Sequence, residues 1–198
     1  MTGREWLTHL YDQLMGDEQP QTWMGVRALK NPLDAWVYQE ILYEVRPDTV
    51  VELGNALGGG TLFLANLLDL IGGGKVIAVD VSHDAFEPEH PRITTITGRT
   101  EDVADQVAEL CEGTTLVIHD ADHSEEAVYR DLHLYGPLVT PGSYLIVEDG
   151  VRDLLSDETG PVAAMDRFLE DTDLFERDES RERFLLTYNP GGFLKRRQ

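Results

Sequence analysis

Residues 49–80 constrain this chain more than any other stretch. Positions 49–53 form a nearly continuous apolar run of strand length, 54–60 hold four glycines, 61–71 carry apolar residues at helical spacing, and 75–80 are a second apolar run. Two such strands, joined by a glycine turn and a helix, make a right-handed crossover unit, which belongs in a parallel sheet covered on both faces. The alternation continues: strands are predicted over 92–97, 115–120 and 144–148, and helices over 101–110 and 124–135. The expected fold class is α/β, a Rossmann-like doubly wound sheet of five parallel strands. A helix over 161–170 and two short strands, 175–178 and 184–188, flank a charged turn and read as an antiparallel hairpin at the sheet edge. Helical patterns over 6–15 and 33–45 precede the sheet. The 198 residues read as one domain, with a helical cover over 1–47 and the sheet core over 48–198.

Charge narrows the partners. Sixteen basic against 37 acidic residues give a net charge of -21, and a surface that negative repels phosphate backbones and anionic lipid headgroups. No nucleic acid and no membrane is expected as a partner. No run is long and apolar enough to cross a bilayer, and Met1 to Leu10 lack the pattern of a secretory leader. Cys111 is the single cysteine, so an internal disulfide is excluded and a cytoplasmic location is expected.

Ligands of open α/β sheets sit beyond the carboxyl ends of the strands, which directs attention to the turn Gly54 to Gly60. A dinucleotide fingerprint needs G-x-G-x-x-G, yet the next glycine after Gly54 is Gly58. Glu52 would also repel a pyrophosphate, whereas it suits a cationic or hydroxyl-rich ligand. The next strand ends in Asp80, whose carboxylate can accept two hydrogen bonds from a ribose diol. Together these features suit an adenosine without phosphates.

A second constellation is acidic. One strand ends His119-Asp120-Ala121-Asp122-His123 and the next ends Val147-Glu148-Asp149, so Asp120, Glu148 and Asp149 would converge at neighbouring strand tips. Like charges so close call for a cation, and oxygen-only ligands favour Mg²⁺ or Ca²⁺. The alternative is that these acids cap the following helices. His119 is expected to point to the opposite face from Asp120, in a structural role. Lys30, one of three lysines, would meet an anion or remain solvated at the surface.

The Glu52-x-Gly54-x-x-x-Gly58 turn with Asp80 at the next strand end resembles the class I S-adenosylmethionine-dependent methyltransferases. That resemblance implies that Gly54 and Gly58 border the methionine part, Asp80 holds the ribose, and the turn bearing Gly98 and Thr100 faces the adenine. Glu52 would fix the loop or reach the amino group. Asp120 and the acidic pair lie 28 positions apart, a spacing similar to that of metal-dependent catechol-type O-methyltransferases. A closer resemblance is to the macrocin and rhamnosyl O-methyltransferase group, which includes proteins named cephalosporin hydroxylases. It is carried by Lys30-Asn31-Pro32-Leu33-Asp34, Tyr38-Gln39-Glu40, the Asp-x-Asp-His step, Ile146-Val147-Glu148-Asp149, Gly160-Pro161 and Asn189-Pro190-Gly191-Gly192. At Gly60 the sequence departs from the group, which often carries a serine there, and Thr61 would replace its contact with the cofactor.

The resemblance implies S-adenosylmethionine and Mg²⁺ as cofactors and a hydroxyl-bearing small molecule, such as a sugar or natural product, as acceptor. Asp120 would serve metal, cofactor and catalysis, and His123 stands where catechol-type enzymes carry a lysine base. His123 could instead simply begin a helix, and Asp122 is either an alternate ligand or a partner that orients His123. Lys30 and Asp122 are the candidate substrate contacts. Two other readings compete: a non-haem iron oxygenase using His119, Asp120 and His123, and a scaffold that binds the donor without turnover. The chain is short for the group, which leaves room for a reduced cover or one completed by a neighbouring subunit of a homo-oligomer.

Overall fold

The computed structural model describes residues 3–16 and 20–198. Helix α1 (Gly3–Met15) is followed by a two-residue pair, β1 (Thr22–Trp23) and β2 (Val26–Arg27), and by helix α2 (Pro32–Val45). The start of α2 is set locally: Asn31 accepts a hydrogen bond from the Leu33 amide at 3.1 Å, and Pro32 occupies the first helical position. The crossover units then run β3 (Thr49–Leu53), α3 (Gly59–Ile71), β4 (Lys75–Asp80), β5 (Ile93–Thr97), α4 (Thr100–Leu110), β6 (Thr115–His119), α5 (Glu125–Tyr135) and β7 (Tyr144–Val147). A short helix α6 (Arg152–Leu155), helix α7 (Pro161–Asp171) and strands β8 (Phe175–Arg177) and β9 (Phe193–Arg196) complete the chain.

The seven main strands lie in the order β5-β4-β3-β6-β7-β9-β8. The first five are parallel, and β9 runs antiparallel to both β7 and β8. The doubly wound α/β sheet and its edge hairpin are as the sequence predicts, with one correction. Residues 184–188 do not form the second hairpin strand; Phe193–Arg196 does. Tyr188 is instead buried, and its amide donates to Asp34 Oδ2 at 2.8 Å, which ties this segment to α2 rather than to the sheet.

Strand parity decides what reaches each face. Val51, Leu53, Val117, Leu145 and Val147 pack with Val128, Leu132, Tyr135 and Phe168 on the side of α5 and α7. Val50, Leu116, Ile118, Tyr144 and Ile146 pack with Val37, Ile41, Leu64 and Leu68 on the side of α2 and α3. All of these side chains are 3% exposed or less, and each large one contributes roughly 1.5–3 kcal/mol on burial. The even-numbered positions of β3, β6 and β7 therefore face α2. Continued past the strand ends, the same rhythm delivers Glu52, Asp120 and Glu148 to that side, and His119 to the other.

Candidate active site

The carboxyl ends of β3, β4 and β6 open into a cavity of about 630 Å³, well within the range of small-molecule sites. Lys30, Glu52, Gly54, Asp80, Gly98, Thr100, Asp120, Asp122, His123 and Asp149 all line it, as expected of candidate site residues. Gly58, Thr61 and Glu148 are not in that lining. A Cβ at Gly58 would meet Pro88 Cδ at 2.5 Å, so this glycine serves a close packing while Gly59 and Gly60 border the cavity. Thr61 is fully buried, and its hydroxyl donates a hydrogen bond to Glu52 Oε2 at 2.5 Å. Glu148 borders a second cavity of about 10 Å³, room for about one water, behind the first.

One wall is the turn after β3. Gly54 has φ +85°, and a Cβ there would sit 1.9 Å from the Asp120 carbonyl oxygen, so only glycine lets this turn approach the tip of β6. Asp80 Oδ2 accepts from the amides of Asn55 at 2.8 Å and Ala56 at 3.0 Å, which fixes the turn from the neighbouring strand. Glu52 Oε2 accepts from Asn55 Nδ2 at 2.9 Å as well as from Thr61. Burial pushes the Glu52 carboxyl up, against the pull of Lys30 and Thr61.

The opposite wall gathers ionisable groups. Lys30 Nζ lies 2.6 Å from Asp120 Oδ2, 2.6 Å from Glu148 Oε1 and 3.8 Å from Glu52 Oε1. Burial alone would lower its pKa, but the three carboxylates hold it well above the ordinary lysine value. Glu148 is pushed well up by burial and by the charge of Asp120, because one ammonium cannot neutralise every acid around it. His123 Nε2 is 3.5 Å from Asp149 Oδ2 and 4.0 Å from Asp120 Oδ1. Burial pushes its imidazole down, in spite of Asp120 and Asp149. Asp122 accepts from the Ser124 amide at 2.8 Å, which holds its carboxyl below the usual range.

Asp149 has φ 59°, the left-handed region rarely adopted by a residue with a Cβ. Its amide donates to Asn189 Oδ1 at 3.1 Å, and its Oδ2 accepts from the Tyr11 hydroxyl at 3.0 Å. Asn55, Tyr11 and Arg152 also border the cavity and were missed by the sequence reading. Asn55, three residues after Glu52 in a glycine turn, carried a readable signal. Tyr11 did not, because its partner lies 138 positions away.

Asp120, His123 and Asp149 each offer one ligand atom, and these atoms lie within 4.8 Å of one another. Among the described residues His123 joins Asp120 and Asp149 in this group, and the other expected ligand, Glu148, is paired with Lys30. Two carboxylate oxygens suit a hard divalent cation, which takes oxygen ligands and keeps several waters. A two-histidine iron site does not form: His119 Nε2 is 3.1 Å from the buried Asp131 on α5, away from Asp120.

Known proteins resemble this chain in sequence and fold. The family model Rhamnosyl O-methyltransferase/CmcI matches residues 18–197. A rhamnosyl O-methyltransferase of Mycobacterium leprae (strain TN) is 38% identical over 190 residues, covering 89% of this chain and 83% of the relative. One from Mycobacterium bovis (strain BCG / Pasteur 1173P2) is 35% identical over 190 residues, covering 88% of this chain and 78% of the relative. A solved structure of cmcI with Mg and SAM superposes with a TM-score of 0.74 at 24% identity, over 92% of this chain and 79% of that one, and shares the fold. The chain therefore belongs to the Rhamnosyl O-methyltransferase/CmcI family and is an S-adenosylmethionine-dependent O-methyltransferase of that group.

Proposed function

We propose that this enzyme methylates a hydroxyl of a sugar or another small natural product, assisted by a magnesium ion at the tips of β6 and β7. The observation that carries the reading is the shared cavity: the pinned turn Gly54 to Leu57 and the group Asp120, His123 and Asp149 border one space. The rhamnosyl O-methyltransferase relatives support a sugar acceptor, and the Mg and SAM in the cmcI structure support both cofactors.

Gly54, Asp80, Gly98 and Thr100 would hold the donor, and Asp120, Glu148 and Asp149 would hold the metal. When bound, the sulfonium supplies an electrophilic methyl group, and the divalent ion lowers the pKa of a chelated hydroxyl. His123 is the only imidazole in the cavity lining among the described residues, and its Nε2 faces the same space as the two carboxylates. It would take the acceptor's hydroxyl proton as the methyl group passes from the donor's sulfur to that oxygen. Tyr11 and Asn189 keep Asp149 aimed, and Asp122 lies beside His123 as a substrate contact.

Incubation with labelled methyl donor, Mg²⁺ and a panel of glycosides, phenols and catechols tests this. Transfer to a glycoside that stops on chelation and returns with Mg²⁺ is expected. Transfer that ignores the chelator would remove the metal from the reading.

A further inference from the structure

Lys30 has no place in the mechanism above, yet it is an enclosed cation in the cavity wall. Its side chain is 13% exposed, and its ammonium touches two carboxylates borne by different strands, 90 and 118 positions away. Space is made for it. A Cβ on Gly60 would come within 2.7 Å of Lys30 Cε and 3.1 Å of Glu52 Oε1, so the bare backbone at Gly60 is what admits the lysine stem. The contact also divides the acids: Asp120 gives Oδ2 to Lys30 and leaves Oδ1 toward His123, while Glu148 gives Oε1 to Lys30.

We propose that Lys30 is a resident counter-cation that competes with the divalent ion for Asp120 and Glu148, and so sets how tightly metal is held. The proposal rests on the reading that a divalent ion binds at these strand tips. An ammonium 2.6 Å from both carboxylates occupies the position a divalent ion would need in order to bridge them. Any ion entering must displace Lys30 or make do with Asp120 Oδ1 and Asp149. A fixed charge at this point also keeps the acids together before metal arrives, since three carboxylates without a cation would repel one another. Lys30 is then a positioning residue that acts through Asp120 and Glu148.

The test measures Mn²⁺ affinity from the loss of the free-ion EPR signal, with no methyl donor or acceptor present. Lys30→Met is expected to tighten Mn²⁺ binding about tenfold or more, because a competing charge is gone. Gly60→Ala, which keeps the charge but pushes the lysine stem away, should move affinity in the same direction and serves if Lys30→Met does not fold. Lys75→Met removes a surface cation elsewhere and should leave affinity unchanged. Equal or weaker Mn²⁺ binding by folded Lys30→Met or Gly60→Ala overturns the competition. Absence of Mn²⁺ binding to the unaltered enzyme would instead fell the metal reading itself, and the proposal with it.

Discussion

The two walls of the cavity are both acidic, but their acids are held differently. On the turn side, Glu52 and Asp80 take their hydrogen bonds from amides, a carboxamide and a hydroxyl, groups that do not titrate, with the Lys30 ammonium farther off at 3.8 Å from Glu52. On the tip side, Asp120, Glu148 and Asp149 are met by an ammonium, an imidazole and a phenol. Neutral donors fix a carboxylate in place, whereas ionisable neighbours leave charge that can be exchanged for a proton or a metal. The first wall is built to hold a shape, and the second to change its charge.

The sharpest attempt to break this contrast is Asp120→Asn. Loss of at least about a hundredfold in kcat is expected, in line with the several kcal/mol that a Lewis acid supplies, with S-adenosylhomocysteine affinity largely kept. Steady-state kinetics and calorimetry on the same sample check it, and an unchanged rate would take Asp120 out of the chemistry. Asp80→Ala should do the reverse. It frees the turn and removes an acceptor, so S-adenosylhomocysteine binding should weaken by about 1–3 kcal/mol. Unaltered affinity in calorimetry would show that Asp80 pins the turn without holding the ribose.

The smallest effect sharpens the claim about neutral donors. Asp34 accepts from the Thr187 hydroxyl, the Tyr188 amide and the Asn31 carboxamide, and burial pushes its pKa up to about 6. A carboxyl whose folded pKa exceeds its unfolded value binds more protons when folded, so stability falls as pH rises from about 4 to about 6 and stays level above. Asp34→Asn should remove that decline, on the order of 1–2 kcal/mol, in denaturant titrations at pH 4 and 7. An identical slope in both proteins would mean the neutral donors fully offset burial.

Much of this was legible in the sequence because strands advertise themselves by apolar runs and parity. The five parallel strands fall where the pattern puts them, and His119 turns away from Asp120 as alternation requires. The second hairpin strand was misread because 184–188 has the better apolar pattern, whereas β9 ends in Lys195 and Arg196 and gains its place by pairing with β7 and β8. In the site, the convergence of Asp120 with the Glu148-Asp149 pair followed from neighbouring strand ends. The division of labour among them did not, since Lys30 reaches Glu148 across 118 positions and no local signal announces it. Gly58 also packs closely against Pro88, a contact equally invisible along the chain.

The backbone at Asp149 has a consequence of its own. Holding a residue with a Cβ in the left-handed region costs about 1–2 kcal/mol, and glycine would occupy the position with no such penalty. The fold thus forgoes stability at this corner to aim one carboxylate. A search for more heat-resistant versions of this enzyme would drift toward glycine there and, in gaining melting temperature, lose the carboxylate that borders the cavity.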